Sequence, residues 1–515
     1  MTVEIVNVPA QPHALRAAVP PAVRPARPWR RVVTRAVLVP LVVLMPLVAL
    51  TPAADHRFNV YANGGRYAGH PFALLRAVVE SVPAYLALGN FRPLGRLVEW
   101  SLDVAAFAFT GLLGIPANIG LRVVSFAAAV LMSLAAVLLA QSVIARGRLF
   151  AGPPTALVTL LPFAVGAGLV AAGRTSTTVL FGGLYFTSAA LVLAVAAWAC
   201  RSRRPGVLVV LAGAALAAFN EIAYLAVPLA TAAVLLRGSV VLGQDRRALL
   251  RGSGVRFAAL LWTGFLPVFL PIRALIHRQC ADGGCYTGSD IALGGAPAAF
   301  PHRLVAWLPP LQWQRAVDGV EAHPVAAVPI VALLVLIVLA LRTPRPAPAD
   351  RRQVLGLTGV ALAVLVLGSA LAALNADVQA MAARGLWGQG WRESGLTAVA
   401  GGMLLAAAGR RFAAPALAVL VVAGAFSAAA NKDFRDGGDA GRYPYLHDRI
   451  AQEVAGFDPT PAGDARRCAL RDAFIRTSIA NHHGVDAPEL ERFDVSLDRA
   501  TRQLAGRRFC SKAPR

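Results

Sequence analysis

The sequence predicts an all-α protein, a polytopic bundle of transmembrane helices, on three observations. Of its 515 residues 57% are hydrophobic and only 15% charged, and the mean hydropathy is +0.59, far from the balance of a soluble globular domain. The apolar residues gather into runs of bilayer-spanning length. The basic residues, nearly all Arg, gather into short segments between those runs. A net charge of +23 would otherwise point to nucleic acid, but basic clusters confined to the gaps between apolar runs report membrane topology, and no nucleic-acid partner is expected.

Apolar runs of about 17 to 25 residues are read as spans. The first covers 33–50 and follows a basic tail, 1–32, that carries Arg16, Arg24, Arg27, Arg30 and Arg31. Further spans fall near 119–144, 155–172, 178–200, 205–219, 222–236, 257–277, 325–341, 354–374, 395–408 and 412–430, about eleven in all. Lys and Arg in short loops favour the cytoplasm. Arg146 and Arg148, then Arg201, Arg203 and Arg204, then Arg237, Arg246 and Arg247, then Arg351 and Arg352, then Arg410 and Arg411 all fall on the side of the N-terminal tail, provided that 205–236 is a hairpin of two short helices turning at Asn220 and Glu221. A single span there would throw every later loop to the wrong side. The expected topology is therefore N-terminus inside and C-terminus outside, with Glu221 at the outer rim and not at the bilayer midplane, where a carboxylate costs about 2.5–3.5 kcal/mol. The tail is far longer than the n-region of a signal peptide, so the first span is read as an anchor.

Three parts follow: the tail 1–32 in the cytoplasm, a transmembrane domain 33–430, and an extracytoplasmic helical domain 431–515. The first outer loop, 51–117, is long and half apolar. Leu74, Leu75, Val78, Val79, Val82 and Leu86 recur near helical spacing, and 97–113 is apolar on a broad face with Glu99 and Asp103 on another, as in helices that lie along a membrane surface or tuck back among spans without crossing. A second outer loop, 278–324, holds Cys280 and Cys285, and the C-terminal domain holds Cys468 and Cys510, two expected disulfides in an oxidising compartment. Cys200 lies beside "RSRR" at an inner span end, where a thiol stays reduced. Neither cysteine pair has zinc spacing and His482 and His483 are not placed as partners, so no cofactor is assigned, and a divalent metal would lack a ligand motif. No phosphate loop, dinucleotide fingerprint, nucleophile elbow or H-E-x-x-H motif is present, and no internal repeat marks a secondary transporter.

An outward first span, a long outer loop with interfacial helices and an acidic residue just past the membrane together resemble the GT-C superfamily of membrane glycosyltransferases. "GNFRPLGRL" at 89–97 is similar to runs in the equivalent loop of GT-C-like bacterial proteins, and "FNEIAYLAVPLA" at 219–230 resembles their aromatic, polar, Glu, then Pro pattern at the outer end of a middle span. The first loop lacks the paired Asp-Asp or Asp-x-Asp that such enzymes often carry. The resemblance implies an enzyme of the cell membrane that passes a sugar from a polyprenyl-phosphate donor to an envelope glycan or lipid acceptor on the outer face. It makes Asp55 the general base, beside Arg57, and places Arg92, Asn220 and Glu221 at the substrate. Trp387 and Trp391, in "GLWGQGWRES", are sugar-stacking candidates or members of an interfacial aromatic belt. Each residue has a plainer reading too: Asp55 as a solvated acid or helix cap, Arg92 as an anchor to lipid phosphates, and Glu221 in an ion pair with Arg174 or Arg122. A transporter or flippase and a non-catalytic envelope scaffold are the competing classes.

Overall fold

The structure, a computed structural model, describes residues 26–50, 56–115, 117–180, 182–281, 285, 291–318, 327–342, 346–438 and most of 449–512 apart from 451, 455, 482–493, 496, 500 and 503. Among the described residues it is helical throughout, without a strand and with two isolated β-bridges, Thr155 to Ala347 and Ile291 to Asn375.

Among the described residues six helical stretches are long and apolar enough to cross a membrane: Ile119–Ile144, Gly182–Arg201, Glu221–Val241, Ser253–Gln279, Arg351–Ala373 and Ser394–Gly437. That is fewer than the eleven runs of the sequence reading, for stated reasons. Ala156–Ala167, Val207–Ala217 and Ala327–Leu341 fall short of the ~20 residues that a hydrocarbon core of about 30 Å demands at 1.5 Å per residue. The two runs at 395–408 and 412–430 belong to one helical stretch with a 3₁₀ turn at Arg410–Phe412. The first run forms α1 (Ala26–Leu44), which contains Pro40 and continues into a 3₁₀ turn at Met45–Leu47.

The core runs between α1, α5 (Ala117–Ile144), α6 (Ala156–Ala167), α7 (Gly182–Arg201), α10 (Ala226–Leu236), α16 (Arg351–Ala373), α18 (Ser394–Gly409) and α19 (Ala413–Gly438). Where α8 (Val207–Ala217) crosses α12 (Ser253–Gln279), Gly213 and Gly264 each face the other helix's backbone, leaving no room for a Cβ, which is how membrane helices approach closely. Asn431 of α19 closes the chain break after α6: it accepts from the Ala171 N–H at 2.7 Å and donates to the carbonyls of Val43 and Leu169, both at 2.9 Å, so backbone groups that lose helical partners keep hydrogen bonds. The outside is apolar as well. Val207, Leu208 and Leu211 of α8 and Val331, Leu334 and Val338 of α15 (Ala327–Leu341) are exposed, as befits an integral membrane protein whose solvent is lipid.

The bundle has two distinct ends. At the basic end α5, α7 and α10 finish and α16 begins. Arg201 donates to the carbonyls of Gly147 and Ala145, both at 2.8 Å, and Arg237 to those of Ser142 and Ala145, both at 2.9 Å. These are carbonyls that a helix C-terminus leaves without donors. Arg146 pairs with Asp350 at 2.8 Å, and Asp350 with Gln353 forms a capping box on α16. Trp29 of α1 reaches the same end, donating to the Gly152 carbonyl at 2.7 Å. Arg146, Arg201, Arg237 and the start of α16 thus meet at one end.

At the opposite end a second, smaller core joins α2 (His56–Tyr67), α4 (Pro93–Leu113) and the start of α5 to the C-terminal residues, through Val60, Phe107, Leu121, Phe474, Leu497 and Phe509. Cys468, on α20 (Pro461–Asn481), is bonded to Cys510, and Cys280 to Cys285, so both expected disulfides form; Cys200 is free. The Cys280 and Cys285 side chains abut Gly89, whose φ of +76° and lack of a Cβ permit the contact.

Candidate functional site

The site grows out of the break in the 205–236 apolar run. α8 stops at Ala217 and α9 (Glu221–Tyr224) starts after Asn220. The start of α4 docks into this gap: the Leu94 N–H donates to the Ala218 carbonyl at 3.0 Å, and Gly95 lets the Phe219 carbonyl come close. The two stretches that carry the GT-C resemblance, 89–97 and 219–230, therefore meet. Asn220 is fully buried and structural, not substrate-facing. Its Oδ1 accepts from the Ala223 N–H at 2.9 Å as a helix cap and its Nδ2 donates to Ser188 Oγ at 2.6 Å.

Glu221, the first residue of α9, is left facing a cavity of about 350 Å³. Arg392, Arg92 and Arg273 lie within electrostatic reach of its carboxylate. Each guanidinium is held from a different element. Arg273, near the end of α12, donates to the Tyr224 hydroxyl at 3.2 Å and sits 5.3 Å from that ring and 5.7 Å from Phe269; Arg392 lies 5.1 Å from the Trp391 ring. Such cation–π contacts fix a guanidinium without consuming its charge. Arg92 is 3.6 Å from Glu99. Ile222, Phe269, Leu371 and Leu374 supply an apolar wall.

The far wall is the segment 389–394 before α18. Glu393, buried, pairs with buried Arg303 of α13 (Ala296–Val305), whose Nε and Nη2 both donate to Oε1. Gln389 accepts from Arg315 Nε at 2.8 Å and donates to Thr175 at 2.9 Å, Thr177 Oγ1 donates to the Arg392 carbonyl at 2.8 Å, and Ser394 accepts from the Thr177 N–H at 3.0 Å. This lattice of bonds sets Trp391, Arg392 and Glu393 against the cavity before any ligand arrives.

Among the described residues Glu99 pairs with Arg92 and Arg303 with Glu393, and Arg273 and Arg392 line the cavity with Glu221 beside the apolar wall. Guanidinium groups next to an apolar surface suit an anion with an apolar tail.

α4 tucks back among its neighbours, one of the two placements the sequence allowed. Its polar face turns inward: Glu99 and Asp103 are buried, and Asn63 of α2 donates to Asp103 Oδ2 at 2.8 Å. Burial, then the neighbouring Glu99 charge, hold the Asp103 carboxyl well above its ordinary value, with the Asn63 bond opposing.

Of the sequence candidates, Glu221 and Trp391 line the cavity and Arg92 approaches it. Trp387 is on the surface, 47% exposed and stacked on His302 at 3.6 Å. Arg122, a suggested partner of Glu221, donates instead to the carbonyls of Leu50, Thr178 and Val179. Asp55 lies outside the described residues; Arg57 falls in α2, directly after it. Arg273, Arg392, Glu393 and Arg303 were missed. Arg273 had a signal, a charge inside the apolar run 257–277; the other three come from loops or a short helix with no periodicity to expose them. Among the described residues no three His, Cys, Asp or Glu side chains are grouped to hold a metal ion. No protein-family model, curated protein or solved structure matches this chain.

Proposed function

We propose that the protein is a GT-C-like glycosyltransferase of the cell membrane, acting on the outer face and moving a sugar from a polyprenyl-phosphate donor to an envelope glycan or lipid acceptor. The observation that carries this reading is the convergence of Arg92, Arg273 and Arg392 on Glu221 in a cavity with an apolar wall. A glycosyl phosphodiester bears one negative charge on a lipid tail, the kind of ligand that guanidinium groups beside an apolar wall suit. Arg273 and Arg392 hold the phosphate, and Glu221 keeps the guanidinium groups oriented between turnovers. Asp55 is the base: it takes the proton of the acceptor hydroxyl as the oxygen attacks the anomeric carbon, and the lipid phosphate departs with the electron pair of the broken C–O bond.

The interrupted helix at Asn220 also favours a second reading, a flippase for the same lipid, because broken helices build midplane sites in transporters. Transfer in proteoliposomes from a panel of polyprenyl-phosphate sugars separates the two. The expected result is transfer by the wild type and a loss of about 100-fold to 10,000-fold in Asp55→Asn with lipid binding intact. Equal rates in both proteins remove Asp55 as base; lipid movement across the bilayer without transfer establishes the flippase.

A further inference from the structure

Glu393 Oε1 takes two N–H groups of Arg303, yet Oε2, equally buried, has no hydrogen-bond partner among the described residues. The side chain is 1% exposed and lines the cavity. A buried carboxylate oxygen without a donor is costly enough that native structures seldom keep one without a use. Resting on the reading of the cavity as a lipid-phosphate site, we propose that Glu393 Oε2 is the specificity-determining acceptor for a hydroxyl of the sugar that the lipid carries.

Charge decides the class of the donor that Oε2 awaits. A cationic group would meet Arg273, Arg392 and Arg303, and an anionic one would meet Glu221 and Glu393 itself. A neutral hydroxyl satisfies the carboxylate and disturbs neither. Trp391, buried beside Glu393 on the same wall, presents the flat apolar surface on which a pyranose ring lies while one hydroxyl points at the acceptor. The rigid 389–394 segment would thus divide its work, Arg392 holding the phosphate and Glu393 reading the group attached to it. A site built to hydrogen-bond a hydroxyl rejects the analogue that lacks it far better than an apolar pocket does.

Binding of a bare polyprenyl phosphate and of the same lipid bearing a hexose, to the full chain in nanodiscs, tests this. The wild type is expected to prefer the glycosylated lipid about 10-fold or more. Glu393→Gln keeps the shape, with its amide oxygen in the Arg303 fork and an N–H₂ donor where the acceptor was. It should bind the bare lipid at least as tightly as the wild type, because one negative charge is removed from an anion site, and lose the preference. Should Glu393→Gln not fold, the pair Arg303→Met with Glu393→Leu removes both buried charges together, a change that cores tolerate, and should likewise lose the preference. A preference unchanged in these variants, or absent from the wild type, overturns the inference. Arg273→Gln checks the underlying reading separately: loss of bare-lipid binding supports it, whereas a wild type that binds neither lipid overturns both.

Discussion

At the basic end Arg201 and Arg237 aim their guanidinium groups at the carbonyls of Ser142, Ala145 and Gly147, where α5 has run out of donors; at the cavity end Arg92, Arg273 and Arg392 converge on one carboxylate. The same side chain serves two purposes, set by what it faces. A guanidinium surrounded by main-chain carbonyls completes the fold, because its partners are fixed and neutral. Guanidinium groups steered by aromatic rings around a single acid form a charged site whose balance a ligand can alter. Membrane proteins place Arg at both kinds of position, so the count of arginines says little and their acceptors say most.

Four experiments break or sharpen this contrast. The largest effect belongs to the cavity end: Arg273→Glu reverses a charge at the phosphate and should reduce transfer about 1,000-fold, measured in proteoliposomes with the folded fraction normalised. Second, Cys468→Ser opens a cross-link over 42 residues and should destabilise the C-terminal domain by about 4 kcal/mol on the loop-entropy model, against about 2 kcal/mol for Cys280→Ser, whose bond spans 5. Limited proteolysis with increasing denaturant reads both, and equal effects would reject the entropic account. Third, Arg201→Met removes donors from the end of α5 and should lower stability by about 1–3 kcal/mol while leaving lipid binding by the folded protein unchanged; a binding defect would erase the distinction between the two ends. The smallest effect is a gain. Asp103 has a raised carboxyl in the folded chain, so the folded state binds its proton more tightly than the unfolded state does, and stability is fully present below the ordinary value of 3.8 and declines as pH rises above it. Asp103→Asn keeps an acceptor for Asn63 and should raise the thermal midpoint at pH 7 but not at pH 3.

Much of the basic end was legible in the sequence, since Arg146, Arg201, Arg237 and Arg351 lie in short gaps between apolar runs and a gap can only be on one side or the other. The two cysteine pairs were legible for the same reason, each sharing a loop or a tail. Glu221 was placed at a helix break because the register of every later loop required one. The candidate site was less legible because it is assembled from residues far apart in sequence. Hydrophobic periodicity separates the faces of a helix but not the inward from the outward one when lipid surrounds the bundle, which is why the sequence set Glu99 and Asp103 on one face of α4 without deciding whether that face turns inward. Asn220 looked like a ligand-binding group because the partner of its Nδ2, Ser188, lies on α7, thirty-odd residues away in the chain. Trp387 and Trp391 share one motif, and only the turn at Gly388, with φ +71°, sends one to the surface and the other to the cavity.

The second core carries a consequence for how the chain matures. Val60, Phe107 and Leu121 are closed over by Leu497, Phe509 and Cys510, which the ribosome adds only after every spanning helix has been made. Until then α2 and α4 wait with an unfinished apolar floor. Contacts so distant in sequence form slowly, because a long loop must close before they gain anything. Oxidation of Cys468 with Cys510 would therefore be a late event that closes a surface left open for most of synthesis, an interval in which the half-built core is open to a chaperone.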